Sequence, residues 1–416
     1  METKKYTLWT RDFTIITLGS AVSMLGNALS GFAMSLMVLD ISGSTFLYAI
    51  YVVMYTLPQL VMPMFGGALL DRFSRKKMIY TLDYVSAGMY VFMGVILRTG
   101  WFSFPLFAIY CLILGSIQSV YMVAYESFYP MLISEGNYQK AYSIASVLET
   151  LSNFMIPLST FLYKQMGLAP LMMVNGVSFF VAAVMETRIG AKEDYVEDQK
   201  DTRDKEISYG RQMLRDIKEG LEYLCSEKGL MAIAAYFTVG SMCGGVSSVI
   251  VLPYFKNTFV NGEYVYMMVW GCSVLARAIG GSIHYKFRIP AKWRYTIALC
   301  VYVTISVFEG MYLFMPVPVM MALCFCIGMG GVTSYTIRVS ATQSYVPHDK
   351  KGRFNGAFNM INTVGALSGE LLAGALVLIL SERVVLCSAM FSCALAALVI
   401  IGGSKRHVAP IYNREQ

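Results

Sequence analysis

Twelve long apolar stretches, separated by short polar breaks, run the length of this 416-residue chain and leave it little choice of fold. They cover 13–39, 46–70, 78–97, 103–126, 141–163, 170–188, 229–255, 264–285, 295–314, 318–339, 354–380 and 384–402. Each is about the 20 residues that a helix needs to cross a hydrocarbon core roughly 30 Å thick. Lipid offers no hydrogen bonds, so a spanning backbone must satisfy its own, and these stretches are read as helices. Composition points the same way. Charged residues make up 14% of the chain, against about 25% in a water-soluble domain. The surplus apolar surface must face lipid.

The 33 lysines and arginines orient the spans. With a cytoplasmic N-terminus, the inner loops and tails hold all of them except Arg98, Lys164, Lys256 and Arg383 outside, and Arg277 and Arg338 within spans. Such asymmetry is the positive-inside signature, and it places both termini in the cytoplasm. The net charge of +7 is thereby assigned to membrane topology, not to nucleic-acid binding. The basic start, "METKKYTLWTRDF", runs into an apolar segment too long for a signal-peptide core, so it is read as an uncleaved first span.

The longest polar stretch splits the spans six and six. Four segments are expected: a six-helix bundle over 1–188, a cytoplasmic linker over 189–228, a second bundle over 229–403, and a cytoplasmic tail over 404–416. Within the linker, Met213, Ile217, Leu221 and Leu224 recur at helical spacing, which predicts an amphipathic helix on the inner surface. The halves echo each other. "GGALLDRF" (66–73) matches "GGSIHYKF" (280–287), and "SFYP" (127–130) matches "SYVP" (344–347), at similar offsets and equivalent places. This suggests a duplicated unit.

The stretch "GGALLDRFSRKK" (66–77) falls in the inner loop between spans two and three. There the chain resembles the major facilitator superfamily, whose signature loop reads roughly Gly-x-x-x-Asp-Arg-x-x-Arg-Lys. The matching residues are Gly67, Asp71, Arg72, Arg75 and Lys76. The "RDF" opening and the glycine- and serine-containing first span resemble the macrolide-efflux-like branch of its drug exporters. The resemblance implies an all-α integral membrane fold of twelve transmembrane helices in two pseudo-symmetric six-helix bundles, working by alternating access. It also implies a gate: Asp71 facing the N-terminus of span eleven, where the helix dipole favours an anion, and Arg75 pairing with Glu126 or, as a second candidate, Asp83. The second copy has lost the acid, since Tyr285 stands where Asp71 aligns. Pro157 remains of the glycine-proline-glycine motif of proton-coupled exporters, with Ile156, Ser159 and Thr160 in place of glycines.

Ionisable groups within spans are costly, about 2.5–3.5 kcal/mol on insertion scales, and each needs a reason. Glu149, about 12 Å into span five at 1.5 Å per residue, and Glu370 are candidate proton carriers. The alternative for either is a static partner for Arg277 or a packing contact, and Glu309 is read as static. Glu370 shares a polar stripe with Asn355, Asn359 and Asn362. Further polar and aromatic residues, Asn27, Tyr51, Tyr55, Gln59, Gln118, Tyr121, Tyr236 and Arg277, outline a candidate substrate chamber.

No Gly-rich Lys-Ser/Thr nucleotide loop and no catalytic constellation occurs in the sequence, and the nine cysteines have neither zinc-site nor disulfide spacing. A non-enzymatic secondary transporter without cofactor or metal is therefore expected, monomeric and multi-pass in a bacterial plasma membrane. Its expected action is proton-coupled efflux of amphipathic or aromatic small molecules. The alternatives are a dedicated exporter of one metabolite, such as a siderophore or peptide, and an importer or facilitator.

Overall fold

The computed structural model describes residues 7–63, 73–134, 137–191, 193, 209–287, 289–347 and 350–414. Among these residues every regular element is a helix. The first group comprises α1 (Arg11–Ser42), α2 (Thr45–Thr56), α3 (Arg75–Arg98), α4 (Phe104–Phe128), α5 (Tyr138–Met166) and α6 (Leu168–Glu186). α7 (Tyr209–Ser226) follows, and then α8 (Lys228–Thr258), α9 (Gly262–Lys286), α10 (Arg294–Met311), α11 (Val317–Tyr345), α12 (Lys351–Leu376), α13 (Glu382–Ala396) and α14 (Lys405–Tyr412). Gly167, at φ 74°, joins α5 to α6 in a single left-handed residue, a conformation that side chains resist.

Among the described residues, ten helices are long and apolar enough to cross a membrane. The fifth and eleventh expected spans are not among those ten. They fold as α5, 29 residues, and α12, 26 residues, long enough to cross but with more polar residues in their sequences.

The chain forms two compact units, Met1–Ser42 with Met54–Gln212, and Gly43–Val53 with Met213–Gln416. In the first, α1 packs on α5 and α6, and α3 packs on α4 and α6. In the second, α8 packs on α12 and α13, and α10 packs on α11 and α13. These are the same pairings one half-chain later. A matched pair of glycines carries the likeness to atomic detail. A Cβ at Gly115 of α4 would strike the Tyr55 carbonyl oxygen, and one at Gly328 of α11 would strike that of Ser273 on α9. Small residues that let backbones meet are what holds helices together where lipid removes the hydrophobic drive.

The second unit is larger than its spans. α7 has the predicted amphipathic pattern: Leu224 enters the unit's core, and Gly220 lies against the Arg353 backbone. Glu219 of α7 pairs with Arg353 at 3.0 Å. The segment expected as a tail is helical from Lys405 to Tyr412 and packs inward. Its Val408, Ile411 and Tyr412 follow i, i+3, i+4 spacing and are fully buried. The Tyr412 hydroxyl lies 2.9 Å from that of Tyr302 on α10.

Tyr412 should therefore act as a peg. Tyr412→Phe should lower stability by about 1 kcal/mol, the worth of one hydrogen bond. Tyr412→Ala should lower it by about 3–5 kcal/mol through the lost ring. Thermal unfolding of the detergent-solubilised protein reads both, and equal effects would locate the role in the hydroxyl alone.

Candidate functional site

In the first unit a polar layer crosses the apolar interior. Asn27 of α1 accepts from Tyr90 of α3 at 2.7 Å and, at 3.4 Å, from Asn175 of α6. Its amide donates to Gln118 of α4 at 3.4 Å. Asn175 also donates to Ser30 at 2.7 Å and accepts from Ser178 at 3.0 Å. The layer forms because Gly26 leaves room: a Cβ there would strike both Asn175 and Ser178. The structure thus joins the expected Asn27 and Gln118, and adds Tyr90 and Asn175, which sequence reasoning had not singled out. A lone Asn in a span was the available signal for Asn175.

Nearby, Tyr55 packs its backbone against α4, and Gln59 is exposed. Tyr121 stacks on Tyr125 with ring centroids 6.0 Å apart. Tyr51 is buried in the second unit, beside Tyr48 at 5.8 Å. On α5, Ser159 donates to the Leu29 carbonyl of α1 at 2.5 Å. A hydroxyl thus fastens two helices.

The signature loop is only partly visible. Gly67, Asp71 and Arg72 lie outside the described residues. Arg75 opens α3 and donates to the Ser127 carbonyl at 3.1 Å, near the end of α4, where the helix dipole favours a cation. Glu126, one residue earlier, is exposed. Asp83 lies eight residues further along α3, about 12 Å up the axis, and faces Glu186 of α6. At the start of α3, Glu193 accepts from the backbone of Arg75 at 2.9 Å and of Lys76 at 3.3 Å. The Lys76 ammonium bonds the Ile189 carbonyl. An anion on exposed helix N–H groups is the favourable arrangement, and it binds the segment after α6 to the loop's basic end.

In the second unit, Glu370 of α12 is 5% exposed. It sits where α12 meets α8 backbone to backbone: added Cβ atoms at Gly365 and Gly369 would strike the carbonyls of Thr238 and Met242. Asn362 is half-buried, its Oδ1 without a hydrogen bond among the described residues, while Asn359 is exposed. Arg277 is exposed, lies over Gly331, and is near enough to act electrostatically on Glu309. Glu309 accepts from Ser247 at 2.8 Å. Tyr236 was expected in the chamber. Instead it is 5% exposed, its ring stacked on Tyr302 at 4.7 Å within the unit's core. The helix of Glu149 is described, but its side chain is outside the described residues.

A cation–aromatic cluster completes this unit. The Arg338 guanidinium lies 4.7 Å from the Phe237 ring centre, 5.1 Å from Phe358 and 5.6 Å from Tyr335. Rings at such distances attract a guanidinium through their negative faces.

The chain belongs to the Major Facilitator Superfamily, whose profile matches residues 16–370. It is similar to an uncharacterised MFS-type transporter, YkuC, of Bacillus subtilis, with 25% identity over 67% of this chain and 68% of that protein. It is also similar to macrolide efflux protein A of Streptococcus pyogenes, with 24% identity over 62% of this chain and 63% of the relative. Among solved structures, the nucleoside transporter NupG superimposes with a TM-score of 0.63 at 11% identity, covering 95% of this chain and 98% of that one. That likeness establishes the fold, an all-helical architecture shared along nearly the whole of both chains.

The polar layer yields a graded expectation. Asn175→Ala removes the short bond to Ser30 and should cost about 1–2 kcal/mol, the upper range for interhelical hydrogen bonds in membranes. Gln118→Ala breaks only a 3.4 Å contact and should leave the unfolding temperature near wild type. Thermal unfolding of the two variants side by side checks the order.

Proposed function

We propose that the protein is a secondary active exporter of amphipathic or aromatic small molecules, driven by the proton gradient across a bacterial cytoplasmic membrane. It acts as a monomer, alternating between inward- and outward-facing states. The observation that carries the reading is Glu370, a carboxyl 5% exposed within a helix of a chain belonging to a transporter family. A carboxyl kept inside a span needs a role that repays its desolvation, and a proton taken up on one side and released on the other supplies one. Glu149, in the helix that pairs with α1, is proposed for the same work. The similarity to macrolide efflux protein A supports the outward direction and bulky, weakly polar cargo. The 28 tyrosines and 29 methionines supply surfaces that adapt to several apolar shapes.

Asn27, Gln118, Tyr55, Gln59, Tyr121, Asn359, Asn362 and Arg277 are proposed to contact cargo. Arg75 and Lys76, with Gly67, Asp71 and Arg72, are proposed as the gate that biases the two states.

Everted membrane vesicles with an imposed pH gradient test the reading, using a mixed library that includes macrolides. Acidifying the vesicle interior should drive compounds inward, which corresponds to export from the cell. Glu370→Gln and Glu149→Gln should each abolish gradient-driven accumulation while leaving equilibrium binding intact. Accumulation that ignores the gradient, or runs in the opposite direction, would refute proton-coupled export.

A further inference from the structure

Sequence reasoning treated Asp83 as a spare partner for the loop and passed over Glu186. The structure brings them together. Asp83 of α3 and Glu186 of α6 are both 0% exposed. Their carboxyl groups lie against each other, and none of the four oxygens has a hydrogen-bond donor among the described residues. Gly19 of α1 makes the space: a Cβ there would stand 3.3 Å from Glu186 Oε1. Three hydroxyls in this part of the unit also lack partners among the described residues. Thr17 and Ser20 of α1 are 4% and 2% exposed, and their oxygens are unbonded, as is the sealed hydroxyl of Tyr121 on α4. The Tyr121 hydroxyl is close to Ser20 and near enough to feel both carboxyls.

We propose that Asp83 and Glu186 form a proton-binding site in which two carboxyl groups hold one proton between them. The argument is one of donors and acceptors. Two ionised carboxylates offer acceptors only, and like charges in contact away from water cannot both persist. A single proton removes the conflict by turning one carboxyl into a donor to the other. The charge that remains needs donors, and the Tyr121 hydroxyl, near both carboxyls and close to Ser20, can supply one. α4 brings Tyr121, α1 brings Ser20 beside it, and α3 and α6 bring the acids themselves. The charged groups acting on either carboxyl are, among the described residues, each other. Lys76 is engaged with the Ile189 carbonyl, beyond the end of α6.

Protonation forms one O–H bond on a carboxylate oxygen with a proton drawn from water, and release reverses it. α3 and α6 pack closely along their shared face: ten residues before Glu186, a Cβ at Gly176 would lie 3.0 Å from the Ala87 carbonyl oxygen. Losing the shared proton would force two bare charges together at this contact and drive the helices apart. The site's role in transport rests on the export reading above, but its chemistry does not.

The test is infrared spectroscopy of the purified full-length protein in lipid nanodiscs, which needs no transport. At neutral pH the wild type should show the carbonyl stretch of a buried protonated carboxyl, shifted in heavy water. Carboxyl-labelled 13C aspartate should move part of this band, since Asp83 is the fully buried aspartate among the described residues. Labelling needs no mutation and so avoids variants that fail to fold. Asp83→Asn/Glu186→Gln should remove that component. A band that ignores both the aspartate and a glutamate label, or survives in the double variant, overturns the site. Loss of the band on adding sodium at fixed pH overturns it too, in favour of a metal cation. Should the band behave as expected while efflux ignores the pH gradient, the site stands and proton-coupled export falls.

Discussion

Lipid sets the terms of this structure. A helix in hydrocarbon satisfies its own backbone, so neighbouring helices gain little by merely hiding apolar side chains from one another. What fastens them is backbone approach through small residues and hydrogen bonds between polar side chains. Both devices recur among the helix pairs described above. Gly115 and Gly328 bring α4 onto the second span and α11 onto α9. Asn175 ties α6 to α1 through Ser30, and Ser159 ties α5 to α1. Each contact is modest, about 0.6 kcal/mol on average for interhelical hydrogen bonds. That modesty suits a carrier, because strong fastenings would hold one state only.

The two units repeat their helix pairings without repeating their chemistry. The matched glycines show the same packing pattern in both halves. The polar cargo did not. The first unit keeps a layer of amides and hydroxyls around Asn27, and a carboxyl pair below it. The second keeps an arginine among aromatic rings and a carboxyl on α12. Packing constrains volume and backbone approach, so both copies must conserve it physically. Side-chain chemistry inside a unit is free to differ wherever its hydrogen bonds close locally.

The sequence made the fold class legible because span length and charge asymmetry are long-range averages, insensitive to any one residue. The amphipathic helix α7 was equally readable, since four apolar residues at helical spacing survive boundary errors. α14 was not. Its apolar face is three residues long, embedded among "SKRH", and only Tyr302 across the unit gives Tyr412 a partner. The site was read less well for a related reason. Listing polar residues by span finds Asn27 and Gln118, yet says nothing of which helices face each other. Tyr236 shows the same limit: residue type alone does not say that its ring stacks on Tyr302 in the unit's core. Glu186 escaped because it ends its span, where an acid looks like an ordinary boundary residue.

That boundary position is what gives Glu186 its significance. An acid at the end of a span can reach water at little cost by turning outward, as Glu126 does at the end of α4. Glu186 turns inward instead, beside a second acid, at a place where Gly19 offers no side chain to keep it out. Packing alone would be served better there by a leucine or methionine, which fills the same volume without desolvation. Two buried acids in contact are unfavourable while both are ionised. They become useful only if protonation changes during the protein's cycle, because the penalty then differs between states and can tilt the balance between them. Burial with this much unsatisfied polarity is therefore an argument for motion as well as for binding.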